Sequence, residues 1–408
     1  MNHKRIFLFL ILTITLLLSG CWSKKELTDL AFISALGIDI NEEGRYIGTF
    51  QIINPGNVAG GLQGGGGSDQ SPPFNVFSAT GDNIFEVRRS ASSKVSRRLY
   101  FAHTNLVVIS DELAKKQGIT TIFDALDRDP EFRSTATVVI ARDIKAADIV
   151  KTLTPIDKIP ANKVIKTLKF TEKRYGEHMK VNIQEVMKSL VTPGKEPVIT
   201  GFQLDGSASY AKKLENIQET APKASPEASG LAIFKEGKLI DWFQGETARG
   251  VIWGLDKIKA TDININWEGK KEAIAYQVIR QKTKVSANMK NEKPKISIHV
   301  RAEGDIGEVT VPIDLSNPRV LSNIEKALEK EIKKEIHDAI QRAQKNKSDI
   351  FGFGEALHRS DPEAWKKMKH DWSDVHFPEL EVSVTVDAFI RRTGLRNKPH
   401  LSDIEMNR

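Results

Sequence analysis

The stretch Asn105–Ala141, NLVVISDELAKKQGITTIFDALDRDPEFRSTATVVIA, decides the fold class. Its two ends, 105–110 and 135–141, are short runs rich in aliphatic and β-branched residues, a pattern that is typical of buried strands. Apolar residues recur at helical spacing through 112–127, with one interruption at Gly118. A strand, a helical connection and a second strand therefore predict a mixed α/β unit.

The same alternation continues on both sides, and we predict the α+β class: three mixed α/β domains built on small, mostly antiparallel sheets with packed helices. Pro155 and Pro160 mark the first boundary, and the chain becomes rich in strand-forming residues from Thr261. A capping box, Ser322–Glu325, predicts the start of a long helix. The predicted parts are a signal peptide (1–20), an N-terminal domain (21–155) with a Gly-rich loop at 56–71, a middle domain (156–258) with a polar linker at 206–229, a C-terminal domain (259–396) with a long helix at 322–347, and a tail (397–408).

The first residues carry the pattern of a bacterial lipoprotein signal. Lys4 and Arg5 precede a mostly apolar run, Ile6–Leu18, and the sequence Leu-Ser-Gly-Cys ends at Cys21. As a helix the apolar run is about 20 Å long, which is short of the roughly 30 Å hydrocarbon core of a bilayer. We therefore predict a cleaved signal peptide and a lipid anchor on Cys21.

Composition excludes several classes of protein. Hydrophobic residues make up 40% of the chain and charged residues 28%, which excludes a disordered chain and a polytopic membrane protein. The net charge of +7 is too small and diffuse to indicate nucleic-acid binding. Cys21 is the single cysteine, so the chain has neither an internal disulfide nor a cysteine-based metal site.

Glycines cluster in residues 54–73, NPGNVAGGLQGGGGSDQSPP. A phosphate-binding loop would need a Lys-Ser or Lys-Thr pair and the start of a helix after the glycines, and neither follows. We predict a flexible surface loop at 56–71 rather than a cofactor site. We expect no cofactor elsewhere in the chain.

A basic face is predicted on a helix that runs from a cap at 80–82 to Ser96. Its members are the five cations that point away from the predicted apolar face: Arg88, Arg89, Lys94, Arg97 and Arg98. A solvated helix face explains them, and so does contact with anionic lipid or an acidic partner.

Catalytic chemistry is not evident in the sequence. The nine histidines are scattered without the i, i+4 spacing of a helical metal site, and there is no Gly-x-Ser-x-Gly motif. Asp124, Asp127 and Asp129 cluster, but the adjacent Arg128 favours a capped loop over a catalytic site. We expect no enzyme activity, no metal and no small-molecule substrate on this chain.

Three stretches that are rich in aromatic residues or glycine remain: 245–254, 349–357 and 362–372. Trp365, Met368 and Trp372 have the spacing of one helix face. Their aromatic residues either belong to the core or form a contact for a partner protein. The candidate partner contacts are Phe351, Phe353, Trp365 and Trp372.

Motifs along nearly the whole chain resemble the Ger(x)C family, the C subunits of bacterial spore germinant receptors. In chain order they are Gly20-Cys21-Trp22 with Glu26-Leu27, Ala35–Asp39, Arg98–His103, Gly230–Lys235, Thr247–Gly250 with Trp253, Asp349–Gly354, and Pro362 with Trp365. The Asp that is usual after the tryptophan is Ser23 here.

The resemblance implies a non-catalytic, lipid-anchored protein with three mixed α/β domains on the outer face of the spore's inner membrane. It also implies assembly with a multi-spanning A subunit and a permease-like B subunit. Two other classes of protein have different requirements. A solute-binding lipoprotein of a transporter would need two similar lobes around a cleft, and a surface-tethered hydrolase would need a nucleophile and a base.

Overall fold

The computed structural model describes residues 3–7, 26–56 and 72–394. In these residues strands and helices alternate, and the strands form two sheets, which confirms the α+β class. Several predicted features lie outside the described residues: Cys21 with the predicted cleavage site, nearly all of the Gly-rich loop, and the tail.

The strands and helices of the folded body are numbered in chain order. The strands are Leu30–Ile40 (β1), Tyr46–Ile53 (β2), Phe74–Gly81 (β3), Arg98–Tyr100 (β4), Leu106–Ser110 (β5), Thr137–Ala141 (β6), Val181–Asn182 (β7), Val198–Gly206 (β8), Ala224–Lys235 (β9), Lys238–Phe243 (β10), Thr261–Trp267 (β11), Lys270–Lys290 (β12), Lys293–Val309 (β13) and Glu381–Arg392 (β14). The α-helices are Ile84–Ser92 (α1), Asp111–Lys116 (α2), Thr120–Asp127 (α3), Ala146–Lys151 (α4), Pro160–Arg174 (α5), Ile183–Val191 (α6), Ala208–Ala211 (α7), Glu215–Gln218 (α8), Gly245–Gly254 (α9), Pro318–Lys345 (α10), Phe353–Ser360 (α11) and Pro362–Met368 (α12).

The larger sheet has the order β10-β9-β8-β6-β5-β1-β2-β3, with β4 beside β1 and β7 beside β6. Its centre, β1, β5, β6 and β8, is parallel, and antiparallel strands lie on both sides. The strands β5 and β6, which include most of the apolar runs at 105–110 and 135–141, are buried at every position. Such strands suit the centre of a sheet that is covered on both faces.

One feature of this sheet differs from the sequence-based expectation of small, separate sheets. The strands of the predicted middle domain continue the sheet of the predicted N-terminal domain, because Ile140 and Ala141 of β6 pair in parallel with Gly201 and Phe202 of β8. The predicted linker at 206–229 contains α7, α8 and the first part of β9. Asn216 closes it by bonding to Leu153 and Ala224.

The smaller sheet has the order β11-β12-β13-β14, and α10 packs against it. In the sequence, apolar residues recur every three or four positions along α10, which predicts an apolar stripe. This stripe is buried, and its members are Ile324, Leu328, Ile332, Ile336, Ile340 and Ala343. The helix begins at Pro318 and is capped by Asn317, so the capping box predicted at 322–325 is wrong. A proline at the first helical position accounts for the earlier start.

Two clusters of buried side chains hold the fold together. One lies between the larger sheet and α4 and α5, and includes Val108, Val139 and Leu168. The other joins the opposite face of that sheet to the smaller sheet and α10, without interruption between them. The C-terminal body is therefore packed on the larger sheet through a shared core.

Candidate functional site

The motif stretch 245–254 forms α9, which lies against α10 at the junction of the two sheets. Arg249 reaches Glu335 with two side-chain nitrogens: Nε lies 2.9 Å from Oε2, and Nη2 bonds to Oε1. Trp253 Nε1 also donates to Oε2, at 3.1 Å. The Glu335 side chain is 0% exposed, so this carboxylate is part of the core.

The electrostatics of this junction indicate a structural role for the buried carboxylate of Glu335. Burial raises the pKa of Glu335, and the hydrogen bonds from Arg249 oppose that rise. A charged pair that is removed from water is stable only when its hydrogen bonds are complete. The two nitrogens of Arg249 and the indole of Trp253 supply those bonds here.

Two glycines explain how closely the two helices approach. A Cβ atom on Gly250 would overlap the main-chain oxygen of Glu335 and lie 2.9 Å from the Cβ of Ala339. A Cβ atom on Gly254 would lie 2.6 Å from the ring of Phe351. These glycines are four residues apart and share one face of α9, which leaves room for α10 and for the following aromatic turn.

The second motif, 349–354, surrounds a buried carboxylate. Asp349 accepts hydrogen bonds from the backbone N–H groups of Phe353 (2.9 Å) and Gly354 (2.8 Å) and from Trp372 Nε1 (2.9 Å). Burial raises the pKa of Asp349 to about 6, and these donors limit the rise. Gly352 has φ 72°, which lets the chain turn into α11.

The four candidate partner contacts all lie in the core. Phe351 is 7% exposed and the other three rings, Phe353, Trp365 and Trp372, are 3% exposed or less. The ring centroids of Phe351 and Phe353 are 5.2 Å apart, and those of Trp365 and Trp372 are 5.3 Å apart. In this structure the four rings therefore belong to the core, and they expose little surface to a partner protein.

The two tryptophans meet although they are not on one helix. Helix α12 ends at Met368, and Trp372 begins a separate wide helical turn, 372–376. The prediction of a shared helix face is therefore wrong, and the tertiary fold brings the rings together. A Cβ atom on Gly354 would lie 2.7 Å from the Cα of Gly194, so the aromatic cluster also touches the loop before β8.

The sequence analysis does not predict a buried role for Glu196, which lies in that loop. Its backbone N–H donates to the Asp349 carbonyl at 2.9 Å, and its side chain accepts from the Glu236 backbone N–H at 3.0 Å. Burial raises the pKa of Glu196 to about 7. No local pattern marks this residue, because its surroundings come from three distant segments.

The predicted basic face is divided by the fold. Helix α1 begins after the cap residue Asn83 and ends at Ser92, so Lys94, Arg97 and Arg98 are not on it. Arg88 pairs with Asp129 and Glu131, and Arg98 pairs with Glu131. Lys94 donates to the Ser78 carbonyl, whereas Arg89 and Arg97 are exposed. Two of the five cations, Arg88 and Arg98, are thus neutralised within the chain.

A cavity of about 400 Å³ opens between α1 and α3. Its walls are mostly apolar, and Phe50, Phe101 and Phe132 are among the rings that line it. The Phe85 ring at its edge is 76% exposed. Arg88 and Arg128, which also line the cavity, are paired with acids, so they do not mark a site for a charged ligand.

Groups that could perform chemistry are scattered. In the part of the chain that the structure describes, no three His, Cys, Asp or Glu side chains are placed to hold a metal ion. Asp124 pairs with Arg128 and Asp129 pairs with Arg88. His178 is buried with no partner for Nδ1, and burial lowers its pKa to about 4.

Among residues 3–7, 26–56 and 72–394, no helix has both the length and the apolar character required to span a bilayer.

Two family models match this chain. One, described as "Spore germination protein N-terminal domain", covers 23–204, and the other, described as "Spore germination B3/ GerAC like, C-terminal", covers 229–394. Spore germination protein KC of Bacillus subtilis (strain 168) is 51% identical over 400 residues, with 98% of both chains covered. The putative spore germination protein YfkR of the same organism is 28% identical over 387 residues, covering 95% of this chain and 96% of its own.

A solved structure has the same fold. The crystal structure of the GerBC protein superimposes with a TM-score of 0.55 at 18% identity, covering 87% of this chain and 96% of that chain. Fold and motifs together thus define a spore germination protein. The chain belongs to the Ger(x)C family of germinant receptor C subunits, which confirms the resemblance.

Proposed function

We propose that this chain is the lipid-anchored, non-catalytic C subunit of a nutrient germinant receptor. It assembles with a multi-spanning A subunit and a permease-like B subunit on the outer face of the spore's inner membrane. The observation that carries the proposal is the full-length, 51% identical match to Spore germination protein KC. The sequence Leu-Ser-Gly-Cys at 18–21 supports the anchor.

The chemistry of Cys21 supports firm attachment. A thiol at the end of a lipobox can carry diacylglycerol, and each buried CH₂ contributes about 0.8 kcal/mol to membrane binding. Two or three acyl chains on one residue therefore hold a protein far more firmly than a single myristoyl chain does.

The site described above supports an interaction role rather than catalysis. The buried carboxylates of Glu335 and Asp349 have their hydrogen bonds filled by the protein itself. The two sheets differ in strand number and order and share one core, which does not resemble the paired lobes of a solute-binding protein.

Replacement of the lipid-bearing residue tests the proposal. We expect Cys21→Ala to leave folding unchanged, to release the protein from carbonate-washed spore membranes, and to reduce nutrient-triggered germination. Ser23→Ala is the matched control and should behave as the wild type. Retention of Cys21→Ala in the washed membranes would contradict the anchor.

Assembly is tested separately. The tagged wild-type chain, solubilised from spore inner membranes, should recover the A and B subunits encoded with it. Recovery of neither subunit under conditions that keep the chain soluble would contradict receptor assembly, whatever the outcome for Cys21.

A further inference from the structure

Among the described helices, α5 has the largest excess of basic over acidic residues. It carries five basic residues, Lys163, Lys166, Lys169, Lys173 and Arg174, against one acid, Glu172. Glu172 is buried and pairs with Lys259 at 2.6 Å, so it does not neutralise the outer surface of the helix.

The exposed residues of α5 form one face. Lys166, Lys169, Phe170 and Lys173 follow the spacing i, i+3, i+4, i+7 and are all exposed. The opposite side, which includes Leu168, packs into the core against the sheet. We call the surface formed by Lys166, Lys169, Phe170, Lys173, Arg174 and Tyr175 the α5 face.

Large aromatic side chains interrupt the cations. Phe170 is 60% exposed and Tyr175, just after the helix, is 62% exposed. Lys166 pairs with Asp157, but Lys169, Lys173 and Arg174 have no ion pair with any described residue. The α5 face therefore combines three uncompensated cations with two exposed aromatic rings, whereas α1 carries two cations, Arg88 and Arg89, and Arg88 is paired with acids.

The α5 face lies near the end of the sheet where the parallel strands begin. At the start of α5, Ala161 N–H donates to Gln51, whose side chain accepts from Ser34 in the first half of β1. Beyond its end, Met179 bonds with Thr200 near the start of β8. Strand β1 begins only nine residues after Cys21, a distance of at most about 32 Å.

We propose that the α5 face rests on an anionic lipid bilayer. Phe170 and Tyr175 enter the headgroup region, while Lys169, Lys173 and Arg174 contact lipid phosphates. The membrane location rests on the proposed function, whereas the chemistry of the face stands on its own. The short connection from Cys21 to β1 brings this end of the sheet to the bilayer.

Lipid fits this surface better than an acidic protein does. Four of the five cations on the helix are lysines, which are depleted at protein interfaces. Lysine stems are flexible and keep their charge at the depth of the phosphates while the rings lie deeper. Protein hot spots instead favour aromatic and arginine anchors in packed pockets.

Binding to vesicles tests the inference without the anchor. Residues 21–408 carrying Cys21→Ala are sedimented with vesicles of equal parts phosphatidylglycerol and phosphatidylcholine, and with pure phosphatidylcholine. Each lysine near an anionic surface contributes about a fivefold change in binding, so Lys169→Gln with Lys173→Gln should weaken binding roughly 30-fold. The matched control is Arg89→Gln with Arg97→Gln, which should change binding little.

A label reports which residues enter the bilayer. Since Cys21 is the only cysteine, Phe170→Cys in the Cys21→Ala chain gives one labelling site for an environment-sensitive dye. Its emission should shift to the blue on anionic vesicles, and a label at Phe85→Cys should not shift. Equal shifts at both positions would overturn the proposal.

Vesicle binding that is absent, that does not depend on phosphatidylglycerol, or that is equally weakened by the α1 control would overturn the α5 face as a lipid contact. The proposed function would survive that result if Cys21→Ala still released the protein from spore membranes. Conversely, strong vesicle binding through the α5 face with no effect of Cys21→Ala in spores would contradict the anchor and leave this inference standing.

Discussion

At the scale of single residues, the fold depends on a few buried polar groups whose partners come from far along the chain. Arg249 and Glu335 form the most buried ion pair described, with side-chain exposures of 13% and 0%. Removing one partner of such a pair leaves a charge without compensation in the core, which is far more costly than losing a surface pair.

We predict that Arg249→Ala lowers the free energy of unfolding by about 3–5 kcal/mol, measured by urea denaturation. The control is Arg342→Ala, which breaks a pair with Asp241 at a more exposed site and should cost about 1 kcal/mol or less. Arg249→Met with Glu335→Leu should recover much of the loss, because neither charge then remains buried. A double variant no more stable than Arg249→Ala would contradict this account.

Trp372 is predicted to be a core residue. Trp372→Ala should cost about 3–5 kcal/mol of stability, since it opens a cavity and removes the indole donor to Asp349. A thermal melt measures this cost, and Phe85→Ala, at an exposed ring, is the control. A variant that melts normally but no longer recovers the A and B subunits would show that Trp372 contacts a partner instead.

Glu196 gives stability a predictable dependence on pH. Its pKa is about 7 in the folded protein, whereas an unfolded Glu titrates near about 4.3. Between these values the folded state binds more protons, so the free energy of unfolding falls as the pH rises through this window. Asp349, with a pKa of about 6, acts in the same direction.

Urea midpoints at several pH values between about 4.5 and 7 test this dependence. Glu196→Gln should fall less steeply than the wild type over that range, and Glu43→Gln, at an exposed turn, should match the wild type. Identical slopes for Glu196→Gln and the wild type would show that this carboxyl does not carry the effect.

At the scale of elements, α9 lies close against α10 because Gly250 has no side chain. A helix that contains Gly250 gives up helical propensity, since alanine is better by about 1 kcal/mol. The approach of the Glu335 backbone explains why glycine stands there despite this cost.

Gly250→Ala therefore compares the gain in helical propensity with the loss of close packing between α9 and α10. We expect a net loss of about 1–3 kcal/mol in the free energy of unfolding, because the methyl group forces the two helices apart. The control is Gly307→Ala, where the nearest atom to an added Cβ is 3.7 Å away and the effect should be small. A gain in stability for Gly250→Ala would show that α10 yields to the methyl group without strain.

At the scale of the whole molecule, the two sheets share one continuous hydrophobic core. Further contacts join them at the surface of that core: Ser348 bonds to the Phe234 carbonyl, and Lys235 pairs with Asp374 at 2.8 Å. A shared core of this kind resists separate unfolding of its parts.

We predict a single cooperative thermal transition, with equal calorimetric and van't Hoff enthalpies. Arg249→Ala should move the transition to a lower temperature without splitting it. Two resolved transitions in the wild type would contradict this prediction and indicate that the C-terminal body unfolds independently.

Local patterns in the sequence were enough to predict several elements. The apolar runs at 105–110 and 135–141 became β5 and β6, and the stripe from Ile324 to Ala343 became the buried side of α10. The family was recognisable from motifs at fixed positions. These features are decided by the repeat of a helix or strand, which neighbouring residues determine by themselves.

The tertiary structure alone decided the rest. It neutralised Arg88 and Arg98 with acids far along the chain and buried Glu335, which lies outside the predicted apolar stripe of α10. It made the strands of the predicted middle domain part of the larger sheet. It also left the α5 face exposed. The physical reason is that a periodic pattern shows which side of an element is apolar, whereas the groups that meet each side are brought there by strand pairing and packing between distant segments.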